Sequence, residues 1–281
     1  MGGVKAGVTD ATSLLRRQLR RLWFRVLVLR GEDVSRVSRA ARCMVVAPHP
    51  DDETLGCGAT ISAKRAAGTA VRVVIVTDGR RSHGPDVVAE EELVARRSAE
   101  AVEACAALGV GRSDVVQLGW MDSTLHGRVD ELSRCIEGVI ADFAPDEVLV
   151  PCALESHPDH RAVSGAVRQL LHSGPRAWQA VEYPVDLPAR AALELLVWGS
   201  PAVGPGGRPG WARRPAGGRP ELVAADQRLL AAKRRAILAY RSQTTSLAPG
   251  SPPGLSERDV AKFLRPYEVF WRLDPPVSRH A

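Results

Sequence analysis

The sequence predicts an α/β fold: a parallel β-sheet with helices packed on both faces. Three observations carry the prediction. Short β-branched runs alternate with segments of helical periodicity through the first two thirds of the chain. Several runs are continuously apolar, as in Val-Arg-Val-Val-Ile-Val at 71–76, the mark of strands covered on both sides. Two motifs rich in His and Asp, at 49–53 and 157–160, each follow such a run, at the edge where open α/β sheets bind ligands.

Taken in order, the first forty residues read as a basic helical extension. Arg16, Arg17, Arg20, Arg21, Arg25 and Arg30 crowd there, and 12–30 has the pattern of an amphipathic helix that either packs on the body or touches a membrane surface. Its most apolar stretch, 22–29, is broken by Arg25 and is far shorter than the ~20 residues of a membrane span. No small-residue cleavage site follows, so no secretory signal is expected.

Residues 41–281 are expected to form a single α/β domain. Strands are predicted at 43–47, 71–77, 114–118, 147–151 and 180–183. Helices are predicted at 59–67 and 87–108, closed by Gly68 and Gly109, and at 129–143 and 161–171. Right-handed crossovers then bring all strand C-termini to one edge, so His49 and His157 can meet. Residues 199–220, dense in Gly, Pro and Arg, read as a surface loop. Helical periodicity returns at 222–241, with Leu229, Ala232, Ala236 and Ala239 on one face, and 256–271 is expected to cover the sheet. The sequence holds no internal repeat.

Composition narrows the function classes. With 45% hydrophobic and 25% charged residues the chain can bury a core, and 5% aromatics are too few for a base-stacking platform. The net charge of +6 is concentrated near the N-terminus and around Lys233, Arg234, Arg235 and Arg241, which fits solvated helix faces; no specific nucleic-acid partner is expected. Five scattered cysteines without a C-x-x-C pair read as reduced, mostly buried thiols of a cytoplasmic protein.

The chemistry lies in the two motifs. His49-Pro50-Asp51-Asp52 offers an imidazole and two adjacent carboxylates at the end of a buried strand. One histidine and one aspartate suit a divalent ion of mixed nitrogen and oxygen preference; the neighbouring aspartate must point elsewhere and is free to act as a base. In His157-Pro158-Asp159-His160 the two histidines are three apart at a strand-to-helix junction, where a helical turn can aim both at one centre. Either motif alone would serve as a strand-end turn or helix cap. Found together at one sheet edge, they point to an open three-ligand site of His49, Asp52 and His160. A dinucleotide site is disfavoured, because two carboxylates occupy the turn where a glycine-rich phosphate loop would stand. A fold that retains the site's outline but only binds a sugar or polyanion is the other reading.

The run Ala47-Pro48-His49-Pro50-Asp51-Asp52-Glu53-Thr54-Leu55-Gly56-Cys57-Gly58-Ala59-Thr60 resembles the signature of the PIG-L/LmbE-like N-acetylglucosaminyl deacetylases, and His157-Pro158-Asp159-His160 resembles their second motif. The likeness continues in Thr77-Asp78-Gly79, in Arg97-x-x-Glu100, in Asp122 and weakly over 233–243, spanning about 43–175. The resemblance implies a Rossmann-like fold that removes acetyl from an amino sugar or a GlcNAc-containing conjugate. It implies zinc, with ferrous iron able to occupy the same donor set. By residue it implies His49, Asp52 and His160 as metal ligands, Asp51 as general base and His157 as the group facing the oxyanion. Asp159 is then a candidate for holding the His157 ring, and Arg97 and Asp122 match positions that hold substrate. The substrate could be an antibiotic sugar, a thiol-precursor sugar or a lipid-linked GlcNAc, and the sequence fixes neither that choice nor the oligomeric state.

Overall fold

The computed structural model describes residues 22–173, 177–188 and 219–273, together with Gln18, Ala191 and Leu195. The elements in chain order are β1 (Glu32–Asp33), α1 (Ser35–Ala40), β2 (Cys43–Ala47), α2 (Asp52–Ala66), β3 (Val71–Thr77), α3 (Glu90–Ala107), β4 (Val115–Trp120), α4 (Val129–Phe143) and β5 (Glu147–Pro151). They continue with α5 (Pro158–His172), β6 (Gln179–Tyr183), β7 (Glu221–Ala224), α6 (Gln227–Ala239), α7 (Arg241–Thr244), α8 (Glu257–Phe263) and β8 (Tyr267–Leu273).

Alternating side chains explain why the strand runs are apolar throughout. Along β2, Cys43 and Val45 enter one core while Met44 and Val46 enter the other, and Val73 and Val74 divide in the same way on β3. On the first face α2, α3 and α6 pack together; on the second, α4 packs on α5. The sheet order is β1-β7-β8-β6-β5-β2-β3-β4. From β2 the chain winds outward to β3 and β4, then returns to β5 on the other side of β2 and continues to β6. The switch point thus falls between β2 and β5, the two strands that precede the motifs.

Two segments differ from expectation. The 222–241 pattern begins as β7 before α6 starts at Gln227, and 256–271 does not simply cover the sheet. Ser256 and Asp259 form a capping box for α8, and the chain then enters the sheet as β8, antiparallel to both β6 and β7. The sheet is therefore mixed, with a parallel β6-β5-β2-β3-β4 half carrying the motifs. Within the expected N-terminal extension, residues 22–30 are helical and pack on the body through buried Leu27, next to Leu222, Val269 and Trp271. β1 then pairs with β7. Most of the arginine-rich segment and positions 199–218 of the expected loop lie outside the described residues. Among the described residues no helix is long and apolar enough to cross a membrane. Cys43, Cys57, Cys105 and Cys152 are buried free thiols, and Cys135 is an exposed one.

The first motif also explains its own glycines. A Cβ at Gly56 would sit 2.3 Å from the Tyr183 ring, whose hydroxyl donates to Val46 O at 2.9 Å across the sheet. A Cβ at Gly58 would meet the Lys233 stem at 2.9 Å. Lys233 Nζ reaches Leu55 O (2.7 Å) and the Glu268 carboxylate (2.6 Å), and Glu268 accepts from the amides of Ala59 and Thr60 in the middle of α2. A buried ion pair from α6 and β8 is thereby spliced into the helix that begins at the motif.

Candidate metal centre

The first motif turns the chain from β2 into α2. Asp51 sits at φ 129°, a backbone region that residues with a Cβ rarely enter, while Asp52 begins the helix. The strained turn is held from several sides. Asp51 N donates to Glu53 Oε2 (3.1 Å), and Asp51 O accepts from Thr54 N and Leu55 N. Glu53, fully buried, accepts further from Thr54 Oγ1 (2.5 Å) and the Tyr240 hydroxyl (2.6 Å). The end of β3 fastens the other side, where Thr77 donates from N and Oγ1 to Pro48 O.

Because of that turn the two aspartates face different partners. Asp52 Oδ2 lies 3.1 Å from His49 Nδ1 and 3.1 Å from His160 Nε2, and the two nitrogens are 3.3 Å apart. Asp51 Oδ2 instead faces Arg97 Nη2 at 3.1 Å. His49 also stands at the centre of two wider groups, one with His157 and His160 and one with Asp122 and Asp159, each with ligand atoms within 4.8 Å of one another. The tight trio is the better candidate for a metal site. Atoms at tetrahedral corners about 2.0–2.2 Å from an ion are about 3.3–3.6 Å apart, close to the spacing seen, and two nitrogens with one carboxylate oxygen form an open donor set.

Each imidazole of the trio has a carboxylate behind it. His49 Nε2 lies 3.3 Å from Asp122 Oδ1 and 3.5 Å from Asp159 Oδ2; His160 Nδ1 lies 3.6 Å from Glu155 Oε2. Such partners orient a ligating ring and fix which nitrogen faces the ion. Glu155 is itself held by the amides of Val185 (2.7 Å) and Asp186 (2.6 Å).

His157 caps α5, its Nδ1 accepting from Asp159 N at 3.2 Å, which leaves Nε2 as the ring's donor. Its ring meets that of His49 edge to face, with centroids 4.6 Å apart. The Asp159 carboxylate does not hold the His157 ring as expected. It accepts from Ser123 N (2.7 Å) and Leu125 N (3.2 Å) and faces His49, because the capping bond to His157 is made by its main chain. Arg97 also differs from the expectation of a substrate contact. It is buried, and besides Asp51 it donates to Pro50 O and to Gly79 O (3.2 Å). Gly79, at φ 67°, has no room for a side chain there, since a Cβ would lie 2.5 Å from Arg97 Nη1. Asp122 is likewise drawn in toward His49, with its Oδ2 accepting from Arg81 N at 3.2 Å.

The electrostatics follow from this packing. Burial pushes Asp51 up to about 7, with the Arg97 guanidinium opposing and the neighbouring Asp52 and Glu53 reinforcing the rise. Burial would raise Asp52 too, but the His160 and His49 rings hold it far below the usual carboxylate range. Against burial, Asp52 and Glu155 lift His160 to about 9, and Asp122, Asp159 and Asp52 lift His49 well above its ordinary value. Burial and the nearby His49 and His160 rings push His157 down. A divalent cation at the trio would take the place of the ring protons on His49 and His160. Glu155, Tyr240 and the Arg97–Asp51 contact were not legible in the sequence, since none follows from a local motif.

The family described as PIG-L, GlcNAc-PI de-N-acetylase, matches residues 44–171, which contain both motifs. A probable N-acetyl-alpha-D-glucosaminyl L-malate deacetylase 2 of Bacillus cereus is 28% identical over 235 residues, 81% of this chain and 96% of that protein. The 2'-N-acetylparomamine deacetylase of Streptomyces fradiae is 29% identical over 158 residues, 48% of this chain and 54% of its own length. The N,N'-diacetylchitobiose deacetylase from Pyrococcus horikoshii superposes with a TM-score of 0.62 at 20% identity, covering 96% of this chain and 94% of its own, which attests the fold. Both motifs lie inside the matched segment, and the fold is shared across nearly the whole chain, so the motif-bearing part of the protein is similar to the PIG-L de-N-acetylases.

Proposed function

We propose that this chain is a metal-dependent hydrolase that removes the acetyl group from the nitrogen of an amino sugar or GlcNAc-containing conjugate. Zinc is the resident ion we favour, and ferrous iron suits the same donors. One observation carries the reading: His49, Asp52 and His160 present three ligand atoms 3.1–3.3 Å apart, while the adjacent Asp51 is turned away from them. A site with three protein ligands and an open position is built for catalysis rather than structure.

An amide carbonyl is a weak electrophile and neutral water a weak nucleophile. His49, Asp52 and His160 would hold a divalent ion, which would supply the remedy for both by polarising the acetyl carbonyl and acidifying water. Asp51, ionised and steadied by Arg97, takes that water's proton. His157 then donates from Nε2 to the oxyanion that develops on the acetyl carbonyl oxygen. Its Nδ1 is occupied by the Asp159 amide, so Nε2 is the nitrogen left to donate. Asp51 is placed to return its proton to the leaving amine, so that acetate and the free amino sugar result. Asp122, Asp159 and Glu155 serve this chemistry by orienting the ligand rings.

The test is amine release from a panel of N-acetylglucosamine conjugates, run with zinc-loaded and chelator-treated protein. Release that needs the metal and returns with it is the expected result. Absence of metal-dependent release across the panel would overturn the reading.

A further inference from the structure

The loop after β3 sets two arginines beside the site, and the structure treats them differently. Arg80 is already neutralised: its Nε and Nη2 each lie 2.8 Å from Asp78 Oδ2, and its Nη1 lies 3.4 Å from Glu90. Arg81 is exposed, and among the described residues its guanidinium has no carboxylate partner and touches Met121 Sδ at 3.7 Å. Its backbone is nonetheless fixed to the site, because Arg81 N donates to the carboxylate of Asp122, which stands 3.3 Å from His49 Nε2. Met121, against which the guanidinium rests, is the residue before Asp122 and is itself exposed.

The acidic groups beneath this rim do not account for the arginine. Asp51 has Arg97, Asp52 has His49 and His160, and Asp122 and Asp159 share His49. A guanidinium needed to neutralise them would be drawn inward and paired, as Arg97 is. Arg81 remains exposed, with its guanidinium against the Met121 sulfur and, among the described residues, on no carboxylate, and a guanidinium suits a planar carboxylate or a phosphate.

Resting on the deacetylase reading, we propose that Arg81 is a specificity residue that anchors an anionic group, carboxylate or phosphate, on the part of the substrate that projects from the acetylated sugar. The natural substrate is then an anionic N-acetylglucosamine conjugate rather than a neutral oligosaccharide. A charge-assisted hydrogen bond at a half-exposed site corresponds to about a tenfold preference.

The experiment compares carboxymethyl N-acetylglucosaminide and N-acetylglucosamine 1-phosphate with the neutral methyl N-acetylglucosaminide. The zinc-loaded wild type is set beside Arg81→Met and Arg81→Lys, with kcat/KM and calorimetric Kd measured for each. The expected result is an anionic-to-neutral ratio of about ten in the wild type, largely kept by the lysine variant and reduced to near one by the methionine variant. The two anionic arms tell a carboxylate from a phosphate. A wild-type ratio near one, or a ratio unmoved by Arg81→Met, overturns the proposal. If no compound is turned over, the deacetylase reading fails, and the ratio of Kd values still decides whether Arg81 selects an anion.

Discussion

Glu268→Ala probes the ion pair spliced into α2. In the folded protein Glu268 is 6% exposed and Lys233 1% exposed, and the carboxylate accepts from Lys233 Nζ and from the amides of Ala59 and Thr60. Removing it strands an ammonium group whose remaining partner is Leu55 O, and leaves two helix amides without this acceptor. Breaking a buried pair from one side costs about 3–5 kcal/mol. That is a large share of a typical total near 5–15 kcal/mol, and for a chain of this size it lowers Tm by about 10 °C. Urea denaturation followed by circular dichroism on zinc-loaded protein measures the loss. Lys233→Met in a double-mutant cycle isolates the coupling, with the double variant recovering at least about 1 kcal/mol of the summed single losses. A loss below about 1 kcal/mol for Glu268→Ala, or strictly additive losses, would refute the view that this pair braces the helix.

Asp51→Ala should retain zinc in metal analysis and lose about 10²–10⁴ in kcat, since the group that accepts the proton is gone while the trio is intact. His160→Ala should lose the ion as well, and with it the zinc-dependent rise in Tm expected of the wild type; equal zinc content in the two variants would contradict the ligand assignment. Arg97→Met separates two roles. If Arg97 steadies ionised Asp51, removing its charge raises a carboxyl already near 7, and the acid limb of kcat/KM moves to higher pH by about 1–3 units. The sign follows because the base works only when ionised, so activity falls as pH drops through its pKa. A role in holding substrate would instead raise KM at every pH and leave the limb in place.

The parallel half of the fold was legible because its strands are covered on both sides and its helices end at Gly68 and Gly109, signals that are local. The start of α2 was not. Gly56 and Gly58 read as poor helix residues, and their reason is tertiary: Tyr183 and Lys233 occupy the space where side chains would stand. β7 is only four residues long and runs into a helical pattern, and β8 carries Glu268 and Arg272, whose partners Lys233 and Glu221 lie 35 and 51 residues away. The site divides along the same line. His49, Asp52 and His160, the proposed ligands, were visible because metal binding demands particular residue types at strand ends. Arg97 and Tyr240 reach the first motif across 47 and 187 residues, and Glu155 serves His160 from a loop that resembles any turn.

The packing around Asp51 shows why that division matters to the chemistry. Two adjacent aspartates in a relaxed turn would compete for one cation, and the second carboxylate would become a fourth ligand that closes the site. Here the backbone at Asp51 is forced to φ 129°, a conformation that costs of order 1–3 kcal/mol. It is offset by bonds that only distant residues complete: Glu53 takes the Asp51 amide and is fixed by Tyr240, while Arg97 binds Pro50 O and the Asp51 carboxylate together. On the proposed assignment, ligand identity is written in the motif itself, whereas the separation of ligand from base is a property of α3 and of the Tyr240 turn that follows α6. A chain could keep His-Pro-Asp-Asp intact and still lose the base, simply by losing the residues that hold the turn open.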